Sequence, residues 1–194
     1  MKISIVGATG YTGEELLRIL AGHPAADIVY ITSESQTGAQ IENIYPHFTR
    51  FYNKKLVSIN DLETIGKESD VAFIALPHGH AMKVGKTLSA AGVRIIDLGA
   101  DYRFTDTAVY EQWYKVKHTH PGAGAVYGLT ELFRDQIKKA AIVGNPGCFT
   151  TASILALAPL VKQRLLQLDS IIIDAKSGVS GAGRGASLNT HFTE

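Results

Sequence analysis

The strongest constraint on the fold is a run of three glycines between an apolar strand and a helix at the start of the chain. Residues 2–6 are mostly β-branched, and the leucines of EELLRILA recur at helical spacing. This pattern predicts a strand, a tight turn and a helix. Glycine lets the backbone approach a pyrophosphate that rests on a helix N-terminus, whereas a merely tight turn needs one glycine, not three. The turn GATGYTG therefore predicts a dinucleotide-binding site, formed by Gly7, Thr9, Gly10, Tyr11, Thr12 and Gly13.

Strands and helices continue to alternate along the chain. The segment 27–33 is a second strand, and DVAFIALP is a continuous apolar strand of the kind that is buried on both faces. A helix over 81–91 and the strands RIIDLGAD and AAIVGN follow. We therefore predict the α/β class, with a Rossmann-type doubly wound parallel sheet over residues 1–147.

Two irregular segments interrupt this alternation. Residues 36–55 are polar and aromatic, and they predict a loop with a short helix. Residues 105–128 predict an excursion over the sheet edge, against which Tyr110, Trp113 and Tyr114 pack. The pair His118 and His120 has a spacing that could bind metal on a strand, but no third ligand is near in sequence, so we expect no metal site. The following helix, LTELFRDQIKKA, is predicted to be capped by Thr130.

The end of the second strand bears on the choice of dinucleotide. An NAD site usually has an acidic residue there, which accepts hydrogen bonds from the ribose hydroxyls. Here the segment reads Thr-Ser-Glu-Ser, and its hydroxyls could bind a 2′-phosphate, with Ser33 and Ser35 as the candidates. Glu34 would repel that phosphate if it pointed inward. The balance favours NADP.

Ligands of an open α/β sheet gather at the carboxyl ends of its strands, and this places His78, Asp101 and Arg103 on the expected rim. The planar guanidinium of Arg103 suits an anionic substrate. The alternative is a structural ion pair with a neighbouring aspartate. A histidine in the position of His78 is more often a loop residue than a catalyst.

Cys148 follows a strand and a Pro-Gly turn in GNPGCFTTASILALAPL, at the start of an apolar helix. Unpaired N–H groups and the positive end of the peptide dipoles there favour a thiolate, which is the nucleophilic form of cysteine. The alternative is that the side chain is simply a small buried hydrophobe. The pattern makes Cys148 the candidate nucleophile.

The last segment predicts a second domain that has only begun. SIIIDAKSG has the composition of a strand, and a second glycine-rich loop with Arg184 follows it. We predict that residues 148–194 are the beginning of a second domain that is incomplete in this chain. Unpaired strands there favour a homodimer or homotetramer, because exposed sheet edges are usually covered.

Composition narrows the possible functions. A formal net charge of +1 gives no reason to expect nucleic acid or an anionic membrane as a partner. One cysteine cannot form an internal disulfide, so a reducing, cytoplasmic setting is expected. The N-terminus has no leader-like segment, and nowhere is there a run of about 20 apolar residues that would span a membrane.

Six motifs in order resemble those of the N-acetyl-γ-glutamyl-phosphate reductase family, within the semialdehyde dehydrogenases. They are GATGYTG, LPHGHA, IDLGADYRF, AVYGLTEL, GNPGCFTTA and DAKSGVSGAGR. The resemblance implies NADPH-dependent reduction of a small acyl phosphate in arginine biosynthesis, through a thioester on Cys148. It implies that the nicotinamide end of the cofactor contacts Pro77, His78, Gly79, Ser177, Gly178 and Gly181. It places Arg103, Asn145 and Arg184 at the substrate. It also implies that residues 148–194 begin an α+β dimerisation and catalytic domain.

One departure from that family concerns the general base. The family carries a histidine for this role in a segment like H-R-H-x-P-E, which this sequence lacks, and His191 is not in that context. Loss of a general acid–base group costs about 10²–10⁴-fold in rate, so we expect little activity from this chain alone. Two alternatives are a reductase of a related acyl phosphate, such as an aspartyl or aminoadipyl type, and a dinucleotide-binding module without catalysis.

Overall fold

The computed structural model describes residues 1–185 and 187–190. Its centre is a six-stranded sheet in which every pairing is parallel, with the order β2-β1-β3-β4-β6-β5. The strands are β1 (Lys2–Val6), β2 (Asp27–Thr32), β3 (Val71–Ile74), β4 (Arg94–Asp97), β5 (Val126–Tyr127) and β6 (Ile142–Gly144). The predicted Rossmann-type parallel sheet is confirmed.

Seven α-helices are present in the described part of the chain, and most of them connect the strands. They are α1 (Tyr11–Leu20), α2 (Ile41–Ile44), α3 (Leu62–Glu68), α4 (Ala81–Ala90), α5 (Thr107–Tyr114), α6 (Thr130–Lys139) and α7 (Cys148–Lys162). Helix α2 is the short helix expected within residues 36–55, and α5 lies within the excursion 105–128.

Two apolar clusters cover the sheet. One joins β3 and β4 to α3 and α4, with Ile74, Leu88 and Ile95 fully buried. The other joins β1 and β2 to α1 and to the segment around α2, with Ile5 and Leu17 fully buried. Burial on both sides explains why the central strands are nearly continuous apolar runs.

Three local predictions are wrong. Residues 170–178 form no strand, because a strand needs a hydrogen-bonded neighbour and none of the described residues pairs with this segment. Thr130 is the first residue of α6 rather than its cap, and its hydroxyl bonds the adjacent Glu131. Trp113 is 72% exposed, since α5 buries Tyr110 and thereby turns the tryptophan to the outside.

Candidate active site

The glycine turn after β1 has the close packing that a dinucleotide site needs. Gly7 has a φ of +88°, and a Cβ there would lie 2.5 Å from the carbonyl oxygen of Ala75. A Cβ on Gly13 would lie 2.4 Å from the carbonyl oxygen of Gly7, so helix α1 can approach the turn only with glycine here. By contrast, Gly10 has space in front of it, with its nearest neighbour 3.9 Å away. A pyrophosphate can therefore reach the N-terminus of α1 at Gly10.

Tyr45 supports this turn from the outside, which sequence reasoning did not identify. Its hydroxyl donates to the carbonyl oxygen of Thr9 at 2.8 Å, and burial is the main cause that raises its pKa. The guanidinium of Arg184 donates to the Tyr45 hydroxyl at 2.7 Å and to the same Thr9 carbonyl at 3.1 Å, and it lies 5.1 Å from the centre of the tyrosine ring. Arg184 thus lies against the glycine turn, and its substrate role stays a prediction.

The hydroxyls at the end of β2 are occupied within the protein. Thr32 Oγ1 accepts from the backbone N–H of Gly7 at 3.1 Å, and a 2.8 Å hydrogen bond joins the hydroxyls of Ser33 and Thr9. Both Thr32 and Ser33 are buried. Ser35 is exposed, so it is the serine of the predicted pair that faces solvent.

Glu34 makes contacts that the sequence did not predict. Its Oε1 accepts from the backbone N–H of Ile59 at 2.5 Å, and the Ser58 hydroxyl donates to the same carboxylate at 3.3 Å. Glu34 lines a cavity of about 450 Å³ between the end of β2 and the first turn of α4. This cavity, which we call the β2–α4 cavity, is lined by Glu34, Ile59, Asn60, Leu62, Leu76, Pro77, Gly79, His80, Lys83 and Val84.

The turn after β3 is held by Asp101. Its carboxylate accepts from the backbone N–H groups of Gly79 at 2.7 Å and Ala81 at 2.9 Å, and from the Tyr110 hydroxyl at 2.8 Å. Asp101 thus fixes the start of α4 and the position of Gly79. The exposed His78 ring packs at a tilt on Tyr114, with 5.2 Å between ring centres.

Cys148 is exposed, and it is the first residue of α7, with Gly147 as the cap. The alternative of a buried structural cysteine is therefore wrong. The cysteine lines a cavity of about 830 Å³, which we call the cysteine cavity. Thr12, from the first turn of α1, lines the same cavity, as do Arg103, Asn145 and Gly181. The N-terminal ends of α1 and α7 thus open onto one space.

Arg103 braces the turn in front of the cysteine. Its Nε donates to the carbonyl oxygen of Asn145 at 2.7 Å, and its Nη2 donates to that of Leu98 at 3.2 Å. A Cβ on Gly147 would lie 3.3 Å from Nη1. In the part of the chain that the structure describes, Arg103 forms no ion pair, so the alternative of a structural pair with an aspartate is not observed.

Asp97, at the end of β4, is fully buried below this site. Its Oδ1 accepts from the backbone N–H of Gly99 at 3.0 Å, whereas Oδ2 has no hydrogen-bond partner in the described structure. Burial raises the pKa of this carboxyl to about 6, and the Gly99 N–H and the charge of Arg103 oppose the rise. Asp97 therefore titrates near pH 6 in the folded protein.

The second glycine loop reaches the cysteine cavity at one point. The backbone N–H of Gly181 donates to the carbonyl of Gly178 at 3.0 Å, and Gly181 lines the cavity. The hydroxyl of Ser177 packs against Gly181 and bonds the Gly178 carbonyl at 3.2 Å. Cofactor binding by Ser177, Gly178 and Gly181 stays a prediction.

The two histidines of the excursion serve the protein's own packing. His118 Nε2 donates to the carbonyl of Asp101 at 2.8 Å, and a 2.8 Å hydrogen bond joins His120 Nδ1 to the Tyr102 hydroxyl. Within residues 1–185 and 187–190, no group of three or more His, Cys, Asp or Glu side chains could hold a metal ion. No helix in those ranges has the length and apolar character to cross a membrane.

Comparisons with known proteins agree with this geometry. Residues 2–140 match the family model of the semialdehyde dehydrogenase NAD binding domain, and residues 148–194 match that of the semialdehyde dehydrogenase dimerisation domain. The chain is 53% identical to an N-acetyl-γ-glutamyl-phosphate reductase of Pelotomaculum thermopropionicum and 50% identical to one of Desulforudis audaxviator. In both cases the match covers 100% of this chain and 56% of the relative.

Solved structures show the same fold. Aspartate semialdehyde dehydrogenase II of Vibrio cholerae superposes with a TM-score of 0.61 at 20% identity, over 83% of this chain and 46% of that one. The aspartate semialdehyde dehydrogenase of Candida albicans, solved with NADP, gives a TM-score of 0.60 at 18% identity, over 85% of this chain and 48% of that one. The resemblance drawn from the six motifs is confirmed, and the chain belongs to the semialdehyde dehydrogenase family.

Proposed function

We propose that this chain carries the dinucleotide site and the nucleophile of an NADPH-dependent N-acetyl-γ-glutamyl-phosphate reductase of arginine biosynthesis. The observation that supports it most is the cysteine cavity, which both Cys148 and the first turn of α1 line. The names of relatives at 45–53% identity support the substrate. The chain spans about half the length of those relatives, so the proposal concerns its part in a longer enzyme.

The glycine turn fits a dinucleotide. Side chains are excluded at Gly7 and Gly13 by backbone contacts, while Gly10 leaves space at the N-terminus of α1. The unpaired N–H groups there can bind a pyrophosphate. When bound, the nicotinamide supplies or accepts a hydride. The Candida albicans neighbour, solved with NADP, supports this class of cofactor.

In the proposed reaction, Cys148 Sγ attacks the acyl carbon, the bond from that carbon to the phosphate oxygen breaks, and inorganic phosphate leaves. A thioester on Cys148 remains. Hydride transfer and one proton then give a thiohemiacetal. Its hydroxyl proton passes to solvent as the carbon–sulfur bond breaks, which releases the aldehyde and restores the thiolate. The backbone N–H groups at the start of α7 lie where they can stabilise oxyanion charge on the acyl group. Arg103, whose planar fork suits anions, is the candidate ligand of the phosphate.

We also propose that the domain boundary lies at residues 147 and 148 and that the protein is a homodimer or homotetramer. The match of the dimerisation-domain model from residue 148 supports both. In this arrangement Cys148 stands at the junction of the two domains, where a substrate bound to the second domain meets the cofactor bound to the first.

The acyl-enzyme step offers a test that needs no proton-transfer partner. The chain is incubated with N-acetyl-γ-glutamyl phosphate, and intact-mass spectrometry measures the acyl adduct and a colorimetric assay the phosphate released. We expect one acyl adduct per chain. Added NADPH should remove the adduct and should be oxidised in equal amount. Cys148→Ala is the control and should form none. Absence of an adduct on the unmodified chain, or faster acylation by aspartyl phosphate, would contradict the proposal.

A further inference from the structure

The β2–α4 cavity lies where the adenosine end of a dinucleotide would rest, an argument that depends on the proposed function. Strand β1 lies between β2 and β3 in the sheet, so a cofactor whose pyrophosphate rests on the turn after β1 reaches the ends of both neighbours. Leu62, Leu76 and Val84 give the cavity apolar walls that suit an adenine ring. Two opposite charges, Glu34 and Lys83, also line it.

The hydroxyls of β2 do not explain a preference for a 2′-phosphate. Thr32 and Ser33 are buried, and their hydroxyls bond Gly7 and Thr9 of the glycine turn. The exposed Ser35 is not among the residues that line this cavity, whose charged side chains Glu34 and Lys83 can distinguish NADPH from NADH.

The Glu34 carboxylate, at the wall of the cavity, is held by hydrogen bonds within the protein. An acidic residue at this position of a dinucleotide fold usually accepts the ribose hydroxyls and disfavours a 2′-phosphate. Here the carboxylate instead accepts from the Ile59 N–H and the Ser58 hydroxyl. Hydrogen bonds to a charged group are about twice as strong as neutral ones, so this contact fixes the side chain against the turn at 58–59.

Lys83 carries the opposite charge into the same cavity. It lies in the first turn of α4 and is exposed, and its ammonium group makes no ion pair or hydrogen bond within the described residues. A lysine on a long flexible stem is a common phosphate ligand. Lys86, one turn further along α4, is also exposed but does not line the cavity.

We propose that Glu34 and Lys83 together set the cofactor preference of this protein. Lys83 binds the 2′-phosphate of NADPH, and the hydrogen bonds from Ser58 and Ile59 weaken, without abolishing, the repulsion of that phosphate by the Glu34 carboxylate.

The test measures the dissociation constants of NADPH, NADH, 2′,5′-ADP and 5′-ADP by calorimetry on the full 194-residue chain. Lys83→Gln should weaken NADPH and 2′,5′-ADP about 10-fold, as expected for one charge-assisted contact, and leave NADH and 5′-ADP within about twofold. Glu34→Gln keeps an acceptor for Ile59 but removes the charge, and should tighten 2′-phosphorylated ligands about 2- to 5-fold. Lys86→Gln is the matched control and should change none of the four.

The outcomes separate the inference from the proposed function. Equal losses for NADPH and NADH in Lys83→Gln, or no loss for either, would overturn the role of Lys83. Unchanged or weaker NADPH binding in Glu34→Gln would overturn the role of Glu34. If the unmodified chain binds neither dinucleotide, the proposed function fails and this inference fails with it.

Discussion

Among single residues, Asp97 shows most directly how a buried group at the site destabilises the fold. The carboxyl is fully buried, one of its oxygens has no partner in the described structure, and its pKa is raised from the ordinary 3.8 to about 6. The folded protein therefore binds this proton more tightly than the unfolded chain does. Ionisation of Asp97 destabilises the fold, and this loss of stability develops as the pH rises from about 4 to about 6.

Replacing Asp97 by Asn should remove that loss. Because Asn stays neutral, we expect the melting temperature of Asp97→Asn to rise relative to the unmodified protein as the pH increases from about 4 to about 7. Thermal unfolding across this range measures the difference. Asp135→Asn, at an exposed position on α6, is the control, and its difference should stay constant. A melting-temperature difference for Asp97→Asn that does not change with pH would contradict the raised pKa of Asp97.

Sequence position identifies residues that follow strands but not the contacts that arise only in the folded chain. Cys148 and Arg103 could be selected because the carboxyl ends of parallel strands meet at one edge. The bond from Tyr45 to Thr9 joins residues 36 positions apart and leaves no local pattern. The same holds for Glu34, whose partners Ser58 and Ile59 come from a turn that the sequence does not assign.

Among the elements, the glycine turn and helix α1 depend on each other through Gly13. A Cβ at this position would lie within 2.7 Å of the backbone of Gly7 and Ala8, which cannot move aside without displacing β1. In the proposed function the first turn of α1 presents N–H groups to the pyrophosphate, so its displacement should affect both stability and cofactor binding.

Gly13→Ala should therefore lower the free energy of unfolding by about 1–3 kcal/mol and weaken NADPH binding at least about 10-fold. Urea unfolding and calorimetric titration measure the two effects. Gly22→Ala is the matched control, because a Cβ at Gly22 meets nothing within 4 Å. Equal effects of the two substitutions would show that the close contact at Gly13 has no special role.

The strands that could be predicted are those that have a clear apolar pattern in the sequence and also a pairing strand in the sheet. The bounds of β1 follow from its sequence, and those of β3 and β4 lie inside the apolar runs that predict them. The segment 170–178 contains three consecutive isoleucines but has no pairing strand in the described structure, so its composition alone does not make it a strand. Strand β5, with two residues, is too short for any periodicity to reveal it.

For the whole molecule, apolar surface is concentrated in the residues from 148 onward. Helix α7 has no buried residue, Phe149 is 47% exposed and Ile172 is 92% exposed. This is the region that matches the dimerisation-domain model. A second copy of the chain is the proposed occupant of this surface.

A charge placed on that surface should weaken self-association. We expect Ile172→Lys to shift the oligomer towards monomer, measured by light scattering across a concentration series. Ile19→Lys, at a residue that is 55% exposed on α1, is the control and should leave the distribution unchanged. If the unmodified chain is monomeric at every concentration, or if both substitutions act alike, this surface is not the interface.

The most direct measurement for the whole account is the rate at which iodoacetamide alkylates Cys148, with and without NADPH. Because the chain has a single cysteine, every modified thiol is this one. If α1 and α7 open onto one cavity, saturating NADPH should slow alkylation several-fold, whereas 5′-AMP, which fills only the adenosine end, should not. An alkylation rate that is unchanged at saturating NADPH would contradict the account.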